Sequence, residues 1–160
     1  MSVLYSNLFE ARDTNGDGTN DSWSYRGPYA NKQGEIVAFR ATITATPSIS
    51  PVPNKWRFIE VPKGARMLTL TELHTDLGGT VQGDLGWETT DPDAFSASDI
   101  DFHTVPSPAG TERCTPAIAI EAAATTGVDY LTVTFNVATT PASGTITLIG
   151  AYAITDGVGG

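Results

Sequence analysis

Apolar and polar residues alternate along much of this chain in short runs. Leu131, Val133, Phe135 and Val137 are interleaved with Thr132, Thr134 and Asn136, and Ile146, Leu148, Tyr152 and Ile154 resume the pattern after the turn Pro141–Gly144. Successive side chains of a strand point to opposite faces, so each run has one dry face and one face for water or a partner. Glu35–Thr46 places Val37, Phe39, Ala41 and Ile43 on one face. Lys55–Val61 sets Trp56 and Phe58 on one side and Ile59 and Val61 on the other, which predicts a strand buried on both faces. After the turn Pro62-Lys63-Gly64, Arg66–Leu73 reads as a strand with Leu68 and Leu70 inward and Thr69 and Thr71 outward. Thr80–Glu88, Asp99–Val105 and Thr115–Ala122 add three more, while the prolines of Thr46–Pro53 restrict that segment to a connection or an edge. About eight turn-punctuated strands predict an all-β fold, an antiparallel β-sandwich with a jelly-roll-like arrangement.

The flanks differ from this pattern. Residues 1–34 are rich in Asn, Asp, Gly and Ser and read as an irregular N-terminal arm, yet they carry Tyr5, Phe9, Trp23, Tyr25 and Tyr29. Pure linkers lack aromatics, so the arm is expected to pack on its own domain or on a neighbouring subunit, and these five residues are its candidate interface anchors. The expected organisation is an arm over 1–34, a sandwich over 35–156 and a glycine-rich tail over 157–160. At 160 residues the chain can bury roughly 70% of its unfolded surface, so it needs no disulfide or metal to fold.

Nine Lys plus Arg against eighteen Asp plus Glu give a net charge of −9. No basic stripe is present, which argues against nucleic acid as a partner because phosphate neutralisation needs clustered cations. The N-terminus lacks the basic start and apolar stretch of a signal peptide, and no apolar run approaches the roughly 20 residues that span a bilayer. Synthesis in the cytoplasm and no membrane partner are the expectations. Cys114 is the single cysteine and reads as a small buried residue.

Asp13-Thr14-Asn15-Gly16-Asp17-Gly18-Thr19-Asn20-Asp21 is the sharpest chemical motif. Oxygen donors at Asp13, Asn15, Asp17, Thr19 and Asp21, with glycine in the sixth position, match most of a calcium loop of the EF-hand kind. The twelfth position is Ser24, where a bidentate Glu belongs, so a plain Asx/Gly turn competes with a structural Ca2+ that would order the arm. No other cofactor is required. Asp99, Asp101 and His103 share one strand face by parity, and His74 with Asp76 could in principle join them around a metal, but a solvated acidic face explains them more simply. Asp91/Asp93 and Asp84/Glu88 are carboxylate pairs of the type a glycosidase uses, but turns account for them. No serine stands in a Gly-x-Ser-x-Gly context beside His74 or His103, and neither Gly78-Gly79 nor Gly83/Gly86 precedes a lysine and a helix as in a phosphate loop. Trp87 is either a core residue or a platform for a sugar. The chain reads as non-enzymatic.

From Val61 onward, the segments VPKGARMLTLTELHTDLGG, VQGDLGWETTDPDAF and DYLTVTFNVATTPASGTITLIGAYAIT resemble small structural proteins of tailed bacteriophages. The positions carrying the likeness are Pro62, Gly64, Leu68, Leu70, Gly86, Trp87, Asp91, Asp93, Phe95, Thr145, Leu148 and Tyr152; residues 1–54 fall outside it. The resemblance implies a capsid decoration (cement) protein on the virion surface, made in the host bacterial cytoplasm. It also implies self-association, typically as a trimer, and the major capsid protein as partner. A head–tail connector, a tail or fibre-associated protein, and a carbohydrate- or receptor-binding module are the alternatives.

Overall fold

In the computed structural model, which describes residues 3–18, 20–45, 54–78, 80–96, 100–102, 125–136, 141 and 143–155, every regular element is a strand. The strands are β1 (Val3–Tyr5), β2 (Phe9–Arg12), β3 (Ser22–Tyr25), β4 (Ile36–Thr44), β5 (Lys55–Val61), β6 (Ala65–His74), β7 (Gln82–Trp87), β8 (Ile100–Asp101), β9 (Asp129–Phe135) and β10 (Thr145–Ile154). One sheet runs β1-β5-β9-β7-β8, a second runs β4-β10-β6, and β2-β3 form a separate hairpin. Trp56, Phe58, Leu85, Trp87, Leu131 and Val133 of the first sheet share one core with Phe39, Ile43, Met67, Leu148 and Tyr152 of the second. The all-β sandwich predicted from alternation is therefore present.

Two details depart from the sequence reading. Residues 1–34, read as irregular, contain three strands, and β1 joins the larger sheet by parallel pairing with β5 (Val3↔Lys55 to Tyr5↔Arg57), so that sheet is mixed rather than antiparallel. The predicted strand Thr115–Ala122 and Cys114 lie outside the described residues.

Each sheet contains one register shift, and each corrects a predicted facing. Along β5, Arg57 pairs with Thr132 and the next partner of β9 is Ile59↔Leu131, so Phe58 is an extra residue. This bulge turns Trp56, Phe58, Ile59 and Val61 to the core, while Lys55, Arg57 and Glu60 stay partly exposed; the strand is not buried on both faces. Without the bulge Ile59 and Val61 would leave the core, at roughly 1.5–3 kcal/mol each. The disrupted ladder bond is worth only about 1 kcal/mol, so the bulge wins. The Ser6 hydroxyl, just past β1, then donates to the Phe58 carbonyl at 2.6 Å. In β6, Thr69 pairs with Ala151 and Met67 with Tyr152, which makes Leu68 the extra residue. Leu68 is thus exposed rather than inward, and Leu70, Glu72 and His74 face the core with Met67.

The turn at Pro62–Gly64 forms as predicted. Gly64 has φ of 85°, a conformation glycine tolerates best, and the Thr125 hydroxyl donates to the Pro62 carbonyl at 2.6 Å. After β7 the chain folds back over its own strand. Trp87 and Asp91 exchange main-chain hydrogen bonds of 2.9 and 3.0 Å, and Phe95 packs edge-on against Trp87. Gly86 permits this, because a side chain there would collide with the backbone of Asp91 and Pro92.

Candidate functional site

The outer face of the five-stranded sheet carries a cluster that alternation alone did not locate. β5 projects Lys55 and Arg57 outward, β9 projects Tyr130 and Thr132, and Glu88 follows β7. Arg57 binds the Glu88 carboxylate through both Nε (2.7 Å) and Nη2 (2.8 Å), Lys55 Nζ reaches it at 3.3 Å, and the Thr132 hydroxyl donates to it at 3.2 Å. The guanidinium lies 4.2 Å from the Tyr130 ring centroid and 5.7 Å from that of Tyr5, whose hydroxyl accepts a bond from Arg57 Nη1 at 3.2 Å. Burial pushes the Glu88 carboxyl up, but the hydrogen bond and charge of Arg57, aided by Lys55, outweigh it and hold Glu88 below the ordinary carboxylate value. Burial, with the charge of Glu60, pushes the Tyr130 hydroxyl up.

The N-terminal hairpin packs on this cluster. Phe9 is buried, 5.0 Å from Tyr5 and from Tyr25 between ring centroids and 6.3 Å from Tyr130. Tyr25 contacts Tyr29 and donates its hydroxyl to the Pro28 carbonyl. Tyr5, Phe9, Tyr25 and Tyr29 thus contribute to the packing of their own domain. Trp23 differs: it stacks on Tyr5 at 4.8 Å yet remains 43% exposed. Its flat indole is thus backed by a second ring, whose hydroxyl in turn meets Arg57.

The acidic loop between β2 and β3 is built from its own hydrogen bonds. Asp13 accepts the N–H groups of Gly16 (2.6 Å) and Gly18 (2.7 Å), Asn15 accepts that of Asp17, and Asp21 accepts the N–H and hydroxyl of Thr14. These bonds hold the Asp13 and Asp21 carboxyls below the ordinary value. Thr19 lies outside the described residues. Among the described residues no three His, Cys, Asp or Glu side chains lie close enough together to hold a metal.

The remaining candidates are dispersed. His74 does not meet Asp76: its Nδ1 lies 2.9 Å from Glu72 within the core, and Asp76 accepts the Gly78 N–H in a turn. Asp101 accepts a bond from Gln82, while Asp99 and His103 lie outside the described residues. Trp87 is fully buried, which removes it as a sugar platform. Glu88 is committed to Arg57, and the neighbouring Asp93 raises the Asp91 carboxyl within an exposed turn. Sequence reasoning missed Asp129, which is buried and accepts bonds from the N–H and hydroxyl groups of both Thr89 and Thr90. It also missed the Glu72–His74 pair, although both share the parity of Leu70.

No protein-family model matches the chain, and neither does any curated protein. Among solved structures, the chain matches one titled "Capsid of Ralstonia phage GP4", with 21% identity and a TM-score of 0.53 over 82% of this chain and 92% of that one. At this identity the likeness is one of fold: the sandwich described above is shared with a chain of a phage capsid.

Proposed function

We propose that this protein is a non-enzymatic structural component of a bacteriophage virion, a capsid decoration protein that binds the shell and bridges neighbouring subunits of the major capsid protein. The observation that carries this reading is the shared fold with the capsid chain, which extends over nearly all of that chain. The phage-like features from Val61 onward support it, since Pro62, Gly64, Gly86 and Trp87 each shape the sandwich. Such a role needs a rigid scaffold with an exposed anchor, and Trp23 supplies one. We further propose that the copies act as trimers on the shell.

The test is titration of the protein onto DNA-free shells of its own phage. Saturable binding with a raised shell melting temperature supports the reading, and no binding at all removes it. Assembly into rings without shells, or recovery with tails, would move the protein to the connector or tail class.

Calcium enters this proposal only as an ordering ion for the Asp13–Asp21 loop. An incoming ion would share the Asp13 and Asp21 carboxylates with the N–H donors they already hold, and the loop lacks the bidentate twelfth-position Glu. We therefore propose a site no tighter than roughly millimolar. Cleavage of the loop by an Asp-specific protease, compared in Ca2+ and in EDTA, tests it; identical patterns eliminate the ion.

A further inference from the structure

β4 is an edge strand whose partner strand is β10, paired from Thr44↔Thr145 to Ile36↔Ala153 without a register shift. Thr42 donates its N–H to Asn7 Oδ1 at 2.8 Å, and its carbonyl accepts the Asn7 N–H at 3.1 Å. Both main-chain groups of Thr42 therefore point away from β10. Hydrogen-bonding direction alternates along an antiparallel strand, so Ala38 and Arg40 also turn their N–H and C=O groups outward. No hydrogen bond reaches those groups from the described chain. Asn7 caps one end of the edge and leaves the rest open.

The surroundings of this edge are unusual for an acidic protein. The outward side chains of the three-stranded sheet include Ile36, Ala38, Thr71, Ile149 and Ala151, with Arg40 and Arg66 as its charges and no Asp or Glu. Ile36 is 65% exposed. A strip without proline, lysine or a bulge lacks most of the devices that keep an edge from pairing.

We propose that the β4 edge pairs antiparallel with the same edge of a second copy across a two-fold axis at Ala38, joining two three-stranded sheets into one of six strands. The register is self-complementary. Ala38 meets its own counterpart, and Arg40 lies opposite Ile36, so the arginine stem covers an apolar side chain. The two Arg40 residues are then four positions apart along the strand, about 13 Å, beyond the roughly 10 Å screening length of 0.1 M salt. A chain of net charge −9 repels its copies, and an acid-free surface is where a copy approaches with least repulsion. Asn7 at each end confines the pairing to Ile36–Arg40. So short a contact sits at the low end of interface sizes and forms a concentration-dependent dimer. The inference does not rest on the capsid reading; on a shell the contact would join copies of adjacent trimers.

Sedimentation velocity of the full chain between about 1 and about 200 µM tests the proposal. The expected result is a monomer–dimer equilibrium. Ala38→Pro deletes an outward N–H while leaving the β4–β10 ladder intact, and should raise the dissociation constant at least about tenfold. Ile36→Lys, at an exposed side chain, should do the same by charge repulsion, and decides the matter if the proline variant fails to fold. A wild-type chain that stays monomeric throughout, or a dimer unaffected in a folded variant, would overturn the proposal.

Discussion

The two outer faces of the sandwich are finished in opposite ways. On the five-stranded sheet, the Arg57–Glu88 pair is half-roofed by the Tyr5 and Tyr130 rings, on which the N-terminal hairpin packs, and Lys55, Arg57 and Glu88 all have partners at hydrogen-bond distance. On the three-stranded sheet nothing in the described chain roofs Ile36, Leu68 and Ile149, and Arg40 stands on a Thr/Ala/Ile surface without an ion pair. The first face is closed by intramolecular packing and contributes stability; the second is the face on which copies are proposed to meet. The same period-two pattern generates both, so alternation identifies an outward face but not what lies on it.

Substitutions should separate the two faces, beginning with the closed one. Arg57→Met leaves Glu88, whose side chain is 8% exposed, with only Lys55 as its cation, and should cost about 3 kcal/mol in urea denaturation. Adding Glu88→Gln should recover part of that loss, giving a coupling of about 2 kcal/mol in a double-mutant cycle. A single-variant loss under about 1 kcal/mol would show that the ion pair does not hold the face together.

The same pair predicts an acid limb. The folded-state Glu88 carboxyl lies below its ordinary value of 4.5, so its stabilising contribution is full above that pH and is lost as pH falls through the folded value. The pH dependence of stability below 4.5 should be shallower in Arg57→Met than in the wild type; parallel curves would assign the acid sensitivity elsewhere.

Trp23→Ala exchanges stability for recognition. It removes one exposed stacked ring and should cost about 1 kcal/mol or less in stability. Under the proposed function it should weaken shell binding about 30-fold, as loss of an anchor of about 2 kcal/mol does. Full affinity in the variant would place the anchor on another surface. The smallest effect is expected on the open face: Ile149→Glu should shift monomer stability by no more than about 0.5 kcal/mol. A large loss there would mean that the open face is packed after all and that the contrast fails.

What was legible in the sequence follows the same division. β5 was readable to the residue, and β4, β9 and β10 nearly so, because Val37–Ile43, Leu131–Phe135 and Ile146–Ile154 obey a two-residue period. The bulges at Phe58 and Leu68 were not, since an inserted residue looks like ordinary chain and only the partner strand shows that it is extra. β1 was hidden because three residues paired in parallel leave no periodic trace. Asp129 was hidden because its partners Thr89 and Thr90 lie some forty positions away. Glu72 and His74 were available by parity with Leu70, but a buried polar pair runs against the expectation that core positions are apolar. In the arm, the aromatic spacing announced packing; the structure shows that Phe9 turns inward and Trp23 outward.

The virion assignment is tested most directly by separating the heads and tails of the phage that encodes this chain and quantifying the protein in each by mass spectrometry. The account predicts the chain in heads, at a fixed ratio to the major capsid protein. Its confinement to tails, or its absence from both fractions, would contradict it.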